Sequence, residues 1–186
     1  MKNLLLKRVM LTAALLSMGI AGAAERTIEP QSDAAIAQKV RHEIRMYSRY
    51  TIWDNVNFTV QDGNVVLAGE VSQPFKKADL GRIALRVPGV TSVTNDLKVL
   101  PLSSFDDQIR AQVARAIYRD SVLSRYAIQA VPPIHIIVEN GRVTLEGVVN
   151  NEMEKNVAGI RASSAGLSFG AVTNNLRVEN PSRRNS

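Results

Sequence analysis

Val56-Asn57-Phe58-Thr59-Val60-Gln61-Asp62-Gly63-Asn64-Val65-Val66-Leu67-Ala68-Gly69-Glu70-Val71 reads as a β-hairpin, and Ile134-His135-Ile136-Ile137-Val138-Glu139-Asn140-Gly141-Arg142-Val143-Thr144-Leu145-Glu146-Gly147-Val148-Val149 repeats it. Asp-Gly and Asn-Gly between apolar alternations mark a two-residue type I′ turn, which needs positive φ at both central residues. Counting outward pairs Val60 with Val65, Phe58 with Leu67 and Val56 with Gly69. The second copy pairs Val138 with Val143, Ile136 with Leu145 and Ile134 with Gly147. Each set lies on one face of its hairpin, as a period of two requires. Gly69 and Gly147 stand opposite β-branched residues, and a glycine inside a strand marks a close approach or a bulge. The helix after the hairpin is the expected neighbour.

The repeat sets the domain organisation. Gly63 and Gly141 are 78 positions apart in a chain of 186 residues, 45% of them hydrophobic. That period is too long for a solenoid unit, so a duplicated small domain is expected. Units of about 70 residues are marginal as lone cores, so the two should support each other.

Residues 1–24 read as a secretory signal peptide: Lys2, Lys7 and Arg8, an apolar run from Val9 to Ile20, then Ala21-Gly22-Ala23-Ala24. The run is too short for a membrane span. The formal charge of +6 includes those three cations; residues 25–186 hold 20 Lys and Arg against 17 Asp and Glu, or +3. That balance does not call for nucleic acid. The chain has no cysteine, hence no disulfide and no thiol for a lipid anchor. A soluble protein of the bacterial periplasm is the simplest expectation.

Residues 25–31 form a polar leader. Ser32 or Asp33 can cap a helix whose stripe is Ile36, Val40, Ile44 and Tyr47. After the first hairpin, Ser72 and Pro74 start a helix with Leu80, Ile83, Ala84 and Val87 inward, and Pro88-Gly89 stops it. Val93, Leu97 and Val99 alternate in a third strand that Asn95 interrupts. Residues 101–103 link the units. Ser104 and Asp107 give an S-x-x-D helix start, followed by Ile109, Val113 and Ile117. A longer loop, Arg125 to Pro133, precedes the second hairpin. Asn150 or Asn151 caps a helix with Val157 and Ile160 inward, and Val172-Thr173-Asn174-Asn175-Leu176-Arg177-Val178 matches Val93-Thr94-Asn95-Asp96-Leu97-Lys98-Val99. Residues 180–186 are an expected disordered tail. The fold class is therefore α+β: two tandem αββαβ units, 32–100 and 104–179, each a three-stranded mixed sheet with two helices on one face.

This order of pieces, found twice, resembles the BON domain. The resemblance rests on Asp62 to Val71, Pro88-Gly89-Val90 and Val93 to Val99, and in the second unit on Asn140 to Val149 and Val172 to Leu176. It implies a dual-BON periplasmic protein of the hyperosmotically inducible kind, with phospholipid binding and support of the envelope under osmotic stress. The second unit departs from the first at Gly166 to Val172, two residues longer than Gly89 to Val93, and in its longer loop.

No catalytic residue, metal site or cofactor is expected. Gly166-Leu167-Ser168-Phe169-Gly170 matches the nucleophile-elbow pattern, but that motif needs strand then helix and here the order is reversed. His42 and His135 read as surface residues, and metal binding needs several convergent ligands. Residues 25–186 contain no GXXG loop of a KH-type RNA module.

The charge pattern says more. Arg41, Arg45 and Arg49 recur every four residues opposite the buried stripe, with no acid four residues away. Like charges so spaced cost a few tenths of a kcal/mol per pair, so one reading of the row is an anionic partner and the other is a solvated helix face with the aromatics packed inward. Arg115 and Arg119 repeat the spacing, with Tyr118, Arg125, Tyr126 and Ile128 nearby. These nine residues form the expected contact set for an anionic phospholipid surface, with Val131, Tyr50 and Trp53 as further apolar candidates and the second unit favoured. The alternative partner is another envelope protein, held as an adaptor or chaperone would through exposed sheet residues such as Val66 and Thr144 or the edge strands. Gly63, Gly69, Gly141 and Gly147 are the expected structural turn residues.

Overall fold

The computed structural model describes residues 32–165, 170 and 172–179. The expected signal peptide, leader, tail and most of the Gly166–Gly170 motif lie outside the described residues. The first unit comprises α1 (Asp33–Met46), β1 (Asn55–Gln61), β2 (Asn64–Val71), α2 (Pro74–Leu85), β3 (Ser92–Asn95) and β4 (Lys98–Val99). The second comprises α3 (Ser104–Tyr118), a 3₁₀ turn (Ser124–Tyr126), β5 (Ile134–Glu139), β6 (Arg142–Val149), α4 (Glu152–Ser163), β7 (Thr173–Asn174) and β8 (Arg177–Val178). In each sheet the second hairpin strand is central. It pairs antiparallel with the first and parallel with two short pieces that together make the third strand.

The turns and registers agree with the sequence. Asp62 and Gly63 have φ of 50° and 75°, Asn140 and Gly141 of 52° and 76°. Val60 pairs with Val65, Phe58 with Leu67 and Val56 with Gly69, and the second hairpin repeats all three pairs. An aspartate at the start of each first helix holds the turn. Asp33 accepts from the Asp62 and Gly63 amides (2.8 and 3.0 Å), and Asp106 from those of Asn140 and Gly141 (3.0 and 2.8 Å). Asp106 is only 1% exposed. Asp106→Ala would strand two amides in a left-handed turn, so urea denaturation should show a loss of about 2–3 kcal/mol. Asp33→Ala, nearer solvent, should lose less.

The interruption of the third strand has the same cause in both units. Asn95 donates its amide to the Lys77 carbonyl of α2 (2.7 Å) and accepts from the Leu97 amide (3.4 Å). Asn174 does likewise with Lys155 (2.7 Å) and Leu176 (3.2 Å). The side chain thus straps the strand to the helix. It crosses a helical glycine in each case, Gly81 or Gly159, where a Cβ would lie 2.7 or 2.8 Å from the asparagine nitrogen.

Each unit has its own core. Ile36, Val40 and Ile44 pack on Val65, Leu67 and Leu80 in the first; Ile109, Val113 and Ile117 pack on Ile136, Val143 and Leu145 in the second. Three expectations need correction. In α4 the inward row is Glu154, Ala158 and Ala162, while Ile160 is 62% exposed; it aligns with Lys76, Leu80 and Ala84 of α2. Gly69 and Gly147 are crowded by the Asn55 and Pro133 carbonyls at the start of the partner strand, not by a helix. The caps are Ser32, Ser103 and Asn151, so the S-x-x-D start is one residue earlier, and Gln73 precedes Pro74 without a side-chain cap bond.

The units support each other through the segment before β1. The Ile136 amide donates to the Ile52 carbonyl (2.7 Å), Ile52 and Trp53 pack on the second core, and Lys98 pairs with Glu139 (2.6 Å).

Candidate functional site

Arg41 and Arg45 lie exposed on α1, and Arg49 lies exposed just past its end. The Arg41 guanidinium stands 5.7 Å from the Phe58 ring and that of Arg49 5.0 Å from Phe75. Among the described residues none of the three makes an ion pair. Arg41, His42, Arg45 and Met46 border an open groove of about 440 Å³ whose other wall is Gln129, Ala130 and Val131 of the second unit. The fold therefore brings the basic helix of one unit beside the long loop of the other. Met46 is 67% exposed and Ile128, one residue before that wall, 87%. Arg115 and Arg119 are also exposed and without an ion pair among the described residues.

Three members of the expected set face elsewhere. Arg125 pairs with Glu154 and covers the Tyr126 ring. Tyr126 is buried, and its hydroxyl donates to Glu154, which also accepts from the Asn150 amide. Glu154 is itself 2% exposed, so the tyrosine and arginine serve to satisfy an inward carboxylate. The Tyr118 hydroxyl donates to the Ile134 carbonyl (2.5 Å), and burial raises its pKa. Trp53 is spent on the second core, and Tyr50 packs on His135 with ring centroids 5.4 Å apart. The long loop thus keeps only Ile128 as an exposed large apolar residue, which weakens the case for the second unit acting by itself.

His135 is not the surface residue expected. It sits between the units, and burial lowers its pKa, opposed by the Asp54 and Thr51 backbone and the Asp54 and Glu146 carboxylates. Its Nδ1 is buried without a hydrogen-bond partner among the described residues. Among the described residues no group of His, Asp and Glu is arranged to hold a metal, and no helix is long and apolar enough to cross a membrane. Sequence reasoning missed Met46, which lies one position off the arginine row, and the buried pair of Lys76 with Asp54. The latter gives no local sign because its partners are 22 residues apart.

Both units match the BON domain, over residues 32–101 and 105–180. The chain belongs to the BON-domain family. BON domains are binding modules associated with membranes and phospholipids. A relative of this BON protein is an uncharacterized protein in the gshII 5′ region of Anaplasma centrale, 29% identical over 144 residues, which span 73% of this chain and 88% of the relative. Among solved structures, the chain is similar to CdsD, described as a structural protein of the type III secretion system of Chlamydia trachomatis. One such structure gives 16% identity and a TM-score of 0.30, covering 80% of this chain and 93% of that one. The CdsD C-terminal domain gives 19% and 0.28, covering 66% and 56%.

Proposed function

We propose that this dual-BON protein is a non-enzymatic, periplasmic membrane-surface binder that supports the cell envelope under osmotic or other stress. The observation that carries the reading is the convergence of Arg41 and Arg45, free of ion pairs among the described residues, with Met46 and the Gln129–Val131 wall at one groove. The cationic part attracts an anionic headgroup layer. The exposed Met46 and Ile128 supply the apolar part that insertion at the acyl boundary requires.

A basic residue at an anionic bilayer is worth about 1 kcal/mol. Arg41→Ala with Arg45→Ala should therefore weaken binding to phosphatidylglycerol vesicles about 30-fold, measured by flotation over a salt series. Arg125→Ala should leave vesicle affinity nearly unchanged, because that charge already belongs to Glu154. Equal binding to phosphatidylcholine and phosphatidylglycerol vesicles, or no dependence on salt, would count against the proposal.

A further inference from the structure

The outward backbone groups of an edge strand bond to whatever lies beyond the sheet. In β5 one outward group of each of Ile134, Ile136 and Val138 is taken up. Tyr118 donates to the Ile134 carbonyl (2.5 Å), Ile136 donates to the Ile52 carbonyl (2.7 Å), and Arg110 donates to the Val138 carbonyl (2.7 Å). A side chain or the Ile52 segment therefore occupies each of the three outward positions of this edge.

The shared hairpin register makes Val56, Phe58 and Val60 the matching residues of β1. Tyr50 and Val56 line one cleft. The outward groups of Phe58 and Val60 have no partner among the described residues. The aligned helix positions explain the difference. Asp33 and Asp106 hold their turns alike, so Ala37 stands where the second unit has Arg110, and Arg45 where it has Tyr118. Ala37 cannot reach the strand, and Arg45 is exposed.

Asn55 to Phe58 also border a cleft of about 600 Å³, with Arg41 and Arg45 on the near side and Arg177, Glu146 and Glu179 among the residues lining the rest. We propose that the β1 edge at Phe58 and Val60 accepts an extended segment of another protein, one with acidic side chains toward Arg41 and Arg45. Main-chain bonds supply the attachment and the arginines the selectivity, as in strand addition. A second copy of this chain is a poor occupant, because pairing β1 with β1 would bring two arginine rows together.

The test uses the full protein and a capped peptide of about eight residues alternating Glu and Val, the length of an ordinary strand. Amide hydrogen exchange is the readout. The peptide should slow exchange at Phe58 and Val60 about ten-fold or more, and a Lys-Val peptide should not. Ala37→Arg places a guanidinium where Arg110 stands in the other unit, so it should abolish the protection although it adds positive charge. The same variant should bind phosphatidylglycerol vesicles at least as well as the parent, which separates failure of this proposal from failure of the membrane reading. Protection already present without peptide would mean that the chain covers its own edge. Protection rising with protein concentration would mean a second copy does. Either result, or an undiminished response in Ala37→Arg, overturns the proposal.

Discussion

Lys76→Met should destabilise the first unit by about 3–5 kcal/mol, the cost of leaving a buried charge without its partner. Lys76 and Asp54 are 5% and 0% exposed, and their charged atoms are 2.6 Å apart. The ammonium also donates to Thr51 Oγ1 (3.2 Å) and Ser72 Oγ (2.9 Å). Asp54 keeps four further donors, the amides and hydroxyls of Thr51 and Ser72. Methionine removes the counter-ion and leaves the enclosed carboxylate with those four donors alone. Asp54→Asn added to Lys76→Met should recover part of the loss, and that recovery in a double-mutant cycle measures the pairing itself. The effect should travel. Thr51 and Asp54 flank Ile52 and Trp53, which dock on the second unit, so the Ile136 amide should exchange faster in Lys76→Met. A urea midpoint within experimental error of the parent would show that the pair is dispensable. At the aligned position the second unit has the reverse sign: Glu154, paired with Arg125 and bonded to Tyr126.

The second large effect is expected from Gly147→Ala. Gly147 has φ of +117°, a conformation that residues with a Cβ rarely adopt, and holding one there costs about 1–3 kcal/mol. An added methyl would also fall well inside contact distance of the Pro133 carbonyl oxygen. That oxygen cannot simply turn aside, because it accepts the Val148 amide (3.2 Å). Strain and lost bond together should cost about 3 kcal/mol or more, with a clear drop in Tm. Gly69→Ala, at φ +112° against the Asn55 carbonyl, should behave alike. Gly81→Ala is the control. Its obstacle is the end of the Asn95 side chain rather than backbone, so the loss should be smaller.

Much of this architecture is legible in the chain because it is locally determined. A two-residue turn demands positive φ, so Asp62-Gly63 and Asn140-Gly141 declare both hairpins. Period two then assigns every cross-strand pair, and helical spacing sets the Ile36 and Ile109 stripes and the exposed Arg41 and Arg45, whereas Arg49 falls beyond the helix, which ends at Met46. Asn95 and Asn174 show as breaks in a pattern, but their purpose does not, since the carbonyls they reach belong to a different element.

What the amino-acid order settled without help is the duplicated αββαβ plan and the outward face of α1, both consequences of φ preferences and of strand and helix periods. Only the folded pair of units decided which aromatics are free. Tyr126 turns inward because Glu154 needs a donor, and Trp53 is taken by the neighbouring core. The packing also decided that Arg110 and Tyr118 bond to one edge while Ala37 and Arg45, among the described residues, do not bond to its twin. Those outcomes depend on distances between residues remote in sequence, which no local period encodes.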